Sequence, residues 1–152
     1  MEIRQITENK KQFLQLLLLA DEQEDMIDRY LSRGELFALY DPFAPHVRAV
    51  CVVTLEAPGV YEIKNLATVP RYQRRGYARG LIEFLFSHYR RDGKTMLVGT
   101  GESPLTLPFY EKCGFRFSHR IPNFFTEHYD HPIYEDGVLL RDMVVLRREF
   151  PR

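Results

Sequence analysis

The residues with the clearest chemical promise are Gln73-Arg74-Arg75-Gly76-Tyr77-Ala78-Arg79, set between an apolar run, Asn65 to Val69, and a strongly amphipathic segment. The first-turn N–H groups of a helix have no intrahelical partner, and the helix dipole adds partial positive charge there. A strand–loop–helix turn with small residues therefore makes a seat for an anion, typically a phosphate. Gly76 and Ala78 leave room for close approach to the backbone, while Arg74, Arg75 and Arg79 add charge. Taken alone, the same loop also reads as a plain turn with a solvated basic patch.

A second cluster follows downstream, Leu107-Pro108-Phe109-Tyr110-Glu111-Lys112-Cys113-Gly114-Phe115. The pattern Gln73-x-x-Gly76-x-Ala78 after an extended segment resembles the acetyl-CoA pyrophosphate motif of the GNAT superfamily of N-acetyltransferases. The Tyr110-to-Phe115 run is similar to that family's Y-E-K-x-G-F helix end, and the two lie in the family's order and spacing. The resemblance covers essentially the whole chain, most firmly residues 47–120. It implies a mixed α/β fold, GNAT-like, whose central mixed β-sheet splays apart and is flanked by helices on both faces. It also implies acetyl-CoA as the acetyl donor and no metal.

Residue by residue, the resemblance assigns the pyrophosphate to the backbone of Gln73, Arg74, Arg75, Gly76, Tyr77 and Ala78, with Arg79 adjacent. Leu66, Ala67, Thr68 and Val69 would line the pantetheine arm, pairing with it as an added strand. Relatives often place an asparagine or serine beside that arm. Ser103 is the candidate here, although Glu102 in Thr100-Gly101-Glu102-Ser103 departs from the pattern. Tyr110 is implied as the general acid that protonates the departing thiolate, a role a phenol within hydrogen-bond reach can fill.

The base is less defined. A primary ammonium with a pKa of about 10 must lose a proton before attacking a thioester. Glu62, on the strand before the loop where some relatives carry a glutamate, is the first candidate; Glu102 and an ordered water chain are alternatives. For the acceptor, acids at Asp21, Glu22, Glu24 and Asp25 and the aromatic–acidic run Asn123 to Asp136 suit a cationic amine. Most of those aromatics also read as ordinary core. The expected activity is acetyl transfer from acetyl-CoA to the primary amine of a small cationic metabolite or drug, by direct attack in a ternary complex. Transfer to a protein or peptide amine, and a non-catalytic acetyl-CoA-binding module, are the other readings.

Composition excludes several classes. With 152 residues, the chain is expected to form one domain over residues 1–152 with a core of its own. Net charge is zero, so no general electrostatic drive points to nucleic acid or membrane. Two cysteines, Cys51 and Cys113, form no metal or redox spacing and suit a reducing cytoplasm. His128 and His131 lack a third ligand. Gly99-x-Gly101 lacks the third glycine of a dinucleotide fingerprint. The arginine–glycine run is embedded in a helical pattern and does not read as an RNA-binding tail. A cytoplasmic monomer or homodimer is expected.

Periodicity supplies the elements that position these groups. Strands are predicted at 2–6, 35–40, 47–55, 60–69, 95–100, 115–119 and 139–147, and helices at 10–20, after 25, at 76–91 and at 104–112. Ala78, Leu81, Ile82, Leu85, Phe86 and Tyr89 form one apolar stripe. A turn is predicted at 41–45. The segment 141–148 is expected as an exposed edge able to pair between subunits.

Overall fold

The computed structural model describes residues 1–43 and 46–152. Its order is β1 (Glu2–Ile6), a 3₁₀ turn at Lys10–Phe13, α1 (Leu14–Ala20), α2 (Glu24–Asp28), β2 (Glu35–Tyr40), β3 (Val47–Ala57) and β4 (Val60–Thr68). A 3₁₀ turn at Pro70–Tyr72 leads to α3 (Tyr77–His88), β5 (Thr95–Gly101), α4 (Thr106–Lys112) and β6 (Arg116–Ile121). The chain ends with α5 (Phe124–His128), a short ladder of β7 (Tyr134–Glu135) on β8 (Val138–Leu139), and β9 (Met143–Glu149).

Seven strands form one mixed sheet in the order β1-β2-β3-β4-β5-β9-β6. All neighbours are antiparallel except β4 and β5, which run parallel as a strand–helix–strand unit predicts. The central strands are apolar on both faces because helices cover both. In β2 and β3, Phe37, Leu39, Ala49, Cys51 and Val53 pack on the α3 stripe, while Leu36, Ala38, Val50 and Val52 pack on α1 and α2.

A bulge sets the function-bearing geometry. Val52 faces Asn65 and Val53 faces Ile63, so Lys64 is the extra residue on β4. Pairing of β4 with β5 stops at this point, running only from Val60↔Thr95 to Ile63↔Val98. Beyond it, among the described residues, β4 pairs with β3 alone, while β5 continues against β9. The sheet splays there.

Several expectations change. The segment predicted as an exposed edge is interior: β9 lies between β5 and β6, so it offers no free edge for a second subunit. Arg147 and Glu149 face solvent from within the sheet. The first predicted helix begins as a 3₁₀ turn, and the second is only Glu24–Asp28. Residues 121–140, left irregular by sequence, contain α5 and the β7–β8 ladder around a small cluster of Phe125, Ile133 and Leu140. The predicted turn at 41–45 begins with a Phe43 N–H to Asp41 Oδ1 bond of 2.8 Å; Ala44 and Pro45 lie outside the described residues.

Candidate active site

The expected phosphate seat lies where α3 starts. Gly76 is the N-cap with φ 86°, preceded by Arg74 at φ 64°. No side chain caps the helix, so its first amides remain available. A Cβ on Gly76 would meet nothing within 4 Å; glycine is needed there for its backbone conformation and leaves the approach open. Arg48, Arg71 and Arg75 stack on Tyr72, Arg48 at 3.6 Å from the ring centroid, which gathers positive charge beside the loop.

The splay exposes one backbone edge of β4. Val69 donates its N–H to the Arg48 carbonyl at 2.9 Å, toward β3, and its own carbonyl accepts from the Tyr72 N–H at 2.8 Å. Backbone groups alternate sides along a strand, so Ala67 also turns to β3, whereas Leu66 and Thr68 turn to the gap. An extended arm fits on Leu66 and Thr68. Ala67 can line the gap but has no free ladder groups, and Val69 is directed away from it. Gln73 lines the same cavity, its amide reaching the Thr68 carbonyl at 3.4 Å.

Ser103 also departs from expectation. It is 1% exposed, and its Oγ accepts the Leu105 N–H at 3.1 Å, shaping the start of α4 rather than the cavity wall. Thr100 and Thr106, on either side of Ser103, line the cavity instead, their hydroxyls bonded to each other at 2.7 Å. Sequence reading missed both because α4 starts after the predicted Pro104.

The cavity, about 430 Å³, runs through the splay. Tyr110 enters it from the α3 side, where its ring packs edge-on against Phe109 and Phe115. Burial pushes its phenol pKa well above the usual tyrosine value, so it holds its proton at neutral pH. Cys113 is a buried thiol raised by desolvation, its carbonyl bonded by Arg148; nothing makes it a nucleophile. Gly99 and Gly101 face the opposite wall, where a Cβ would collide with Met143 and Leu140. That close packing, and no dinucleotide, accounts for the glycine pair.

Neither sequence-derived base faces the cavity. Glu62 is paired with Lys64 at 2.9 Å and is absent from the lining. Glu102 is held by Arg120 through two bonds of 2.8 and 2.6 Å, which lower its pKa, and it projects to solvent. Asp21, Glu22 and Glu135 are the carboxylates that do line it. Asp21 accepts from Tyr129 Oη at 2.6 Å and Tyr30 Oη at 3.0 Å, and Asn65 Nδ2 donates to Tyr30 Oη at 3.1 Å. Burial, working against those hydrogen bonds, raises the Asp21 pKa. The Asn123–Asp136 run closes over this end: Gln23 bonds the His128 carbonyl and the Asp130 N–H, and His131 Nε2 meets Glu22 at 2.8 Å.

A family model described as Acetyltransferase (GNAT) domain matches residues 33–117. The chain is 36% identical over 141 residues to an uncharacterized N-acetyltransferase, YvbK, of Bacillus subtilis (strain 168), covering 91% of this chain and 90% of that one.

The chain belongs to the GNAT acetyltransferase family.

Among solved structures, a GNAT family acetyltransferase from Elizabethkingia anophelis with acetyl-CoA bound superposes with a TM-score of 0.90 at 31% identity, covering 97% of each chain. A Bacillus subtilis acetyltransferase in complex with CoA gives 0.86 at 33%, again covering 97% of each. This GNAT enzyme is thus an N-acetyltransferase with acetyl-CoA as donor, and the open β4 edge and uncapped α3 start fit that donor's arm and pyrophosphate. Among the described residues, no group of three or more His, Cys, Asp or Glu is arranged to hold a metal ion, and no helix is long and apolar enough to cross a membrane.

Proposed function

We propose that this enzyme acetylates the primary amine of a small cationic molecule, by direct attack of the amine on the thioester in a ternary complex. The observation that carries the reading is the cavity through the splay, whose wall carries three carboxylates, Asp21, Glu22 and Glu135. The closure of residues 128–131 onto the α1–α2 junction favours a small acceptor over an extended peptide. The uncapped amides of residues 77–79 and the loop from Gln73 hold the pyrophosphate, and Leu66 and Thr68 pair with the pantetheine arm. A backbone N–H on the free β4 edge polarises the carbonyl as an oxyanion donor. Tyr110, kept protonated by burial, delivers its proton to the departing sulfur.

The test is acetyl-CoA-dependent thiol release over a panel of polyamines, aminoglycosides, amino acids and N-terminal peptides, run beside Tyr110→Phe. Amine-dependent turnover that drops by about 100-fold in the variant, with acetyl-CoA affinity retained, supports the reading. Turnover confined to peptides moves the acceptor to proteins. Acetyl-CoA binding without turnover on any amine leaves a binding module.

A further inference from the structure

Asn65 carries an unmet hydrogen-bonding group. It is 3% exposed and lines the cavity. Its Nδ2 donates to the Leu17 carbonyl at 3.0 Å and to Tyr30 Oη at 3.1 Å. A carbonyl only accepts, so the amide orientation is set by Leu17. Asn65 Oδ1 is then a buried acceptor with no partner among the described residues. A buried acceptor left unpaired costs on the order of 1–3 kcal/mol, and a group that donates N–H bonds would remove the penalty.

Tyr30 connects this atom to a charge, since it accepts from Asn65 and donates to Asp21. The Lys64 bulge is what brings them together. Ile63 points to the α3 side, and after one extra residue Asn65 and Ala67 point to the α1 side. Asp21 and Asn65 thus share one wall, opposite the α3-side face from which Tyr110 enters.

We propose that the acceptor's ammonium docks between Asn65 Oδ1 and the Asp21 carboxylate, and that Asp21 is the base that takes its proton. The inference rests on the acetyltransferase reading above and deepens it by naming the acceptor contacts. One N–H bond breaks and an O–H bond forms on Asp21. The freed lone pair attacks the thioester carbonyl, and the C–S bond breaks as Tyr110 protonates sulfur. The second amine proton returns to Tyr110, and Asp21 releases its proton to solvent. The charged and titratable groups around Asp21 are Glu22 beside it, Tyr30 and Tyr129 as donors, and Lys64 and Glu135 elsewhere on the cavity wall. Desolvation makes Asp21 more basic than an ordinary aspartate, which narrows the gap to an ammonium.

The experiment measures kcat/KM against pH for the wild type and Asp21→Asn, using the fastest amine of the panel and its analogue difluorinated beside the amine-bearing carbon. The fluorinated amine has a pKa near neutrality, so at mildly alkaline pH it is largely neutral and needs no base to free its lone pair. Asp21→Asn is expected to lose about 100-fold on the basic amine and to recover as pH rises toward the amine's own pKa. On the fluorinated amine at mildly alkaline pH the loss should be about tenfold smaller, since only the docking contact is weakened there, with acetyl-CoA affinity unchanged. Asn65→Leu serves as a second variant: it removes the Oδ1 contact, so it should raise KM for both amines with a smaller effect on kcat. Equal losses on both amines in Asp21→Asn, or no loss, overturn the assignment of the base while leaving the acetyltransferase standing. Absence of wild-type turnover on every amine overturns both.

Discussion

The carboxylate of Asp21 accepts a 2.6 Å hydrogen bond from the hydroxyl of Tyr129, 108 residues later in the chain. That bond ties the α1–α2 junction to the segment that covers the proposed acceptor end of the cavity. It also satisfies a carboxylate that the fold has partly removed from water. Tyr129→Phe should therefore lower stability by about 1.5 kcal/mol, the range of a hydrogen bond to a charged group. It should also move the acidic limb of the pH–rate profile upward, because this bond holds the Asp21 pKa down. Denaturant unfolding and a pH–rate series check the two effects separately.

The charge on Asp21 works against folding at neutral pH. Its folded pKa is raised above the ordinary 3.8, burial being the main cause. A raised carboxylate contributes stability that is fully present below the unfolded value and is lost as pH rises through the folded one. Asp21→Asn removes that loss, so the variant's melting temperature should gain on the wild type's as pH is raised across this window. A constant difference at all pH values would contradict the shift.

His131 behaves in the same sense through a different cause. Hydrogen bonds to Asp130 and then Glu22 raise its pKa above 6.5, and the contribution is complete below that value and fades as pH rises through the folded pKa. Amides around residues 129–133 should have lower protection factors, after correction for intrinsic exchange, above this window than below it. His131→Gln should remove that change in protection.

Two glycines near the site are required for different reasons, and alanine separates them. Gly76→Ala places a side chain in open space at φ 86°, so it should cost about 1 kcal/mol from backbone strain alone. Gly99→Ala has no such strain but drives its Cβ into Met143. Overpacking of that kind costs about 1–3 kcal/mol. Pushing Met143 aside should narrow the cavity, raising the amine KM and leaving acetyl-CoA affinity unchanged.

The carboxylates that sequence put forward give a direct contrast with Asp21. Glu62→Gln and Glu102→Gln should each retain turnover to within about threefold, since neither faces the cavity; the Glu102–Arg120 pair is exposed, and the half-buried Glu62–Lys64 pair becomes a neutral amide that can still accept from Lys64. A large loss in Glu62→Gln at unchanged acetyl-CoA affinity would restore it as the base.

The sequence by itself determined the parts of this enzyme whose chemistry is contiguous in the chain. The turn and helix start at Gln73 to Ala78, the proposed phosphate loop, are legible because the turn, the helix start and the glycine that joins them are neighbours. The α3 stripe and the Tyr110-to-Phe115 helix end are legible for the same reason. On the proposed acceptor side, sequence pointed to Asp21, Glu22 and the Asn123–Asp136 run, but not to Asn65 or to which carboxylate is buried. A single extra residue, Lys64, inverts which face Asn65 presents, and a bulge leaves little trace in an apolar run. The burial that makes Asp21 a stronger base, and its bond to Tyr129, arise only when segments more than a hundred residues apart meet. The same applies to the inward turn of Val69, the capping role of Ser103 and the interior place of β9. Each depends on which partner occupies a backbone or side-chain group, and tertiary packing makes that choice.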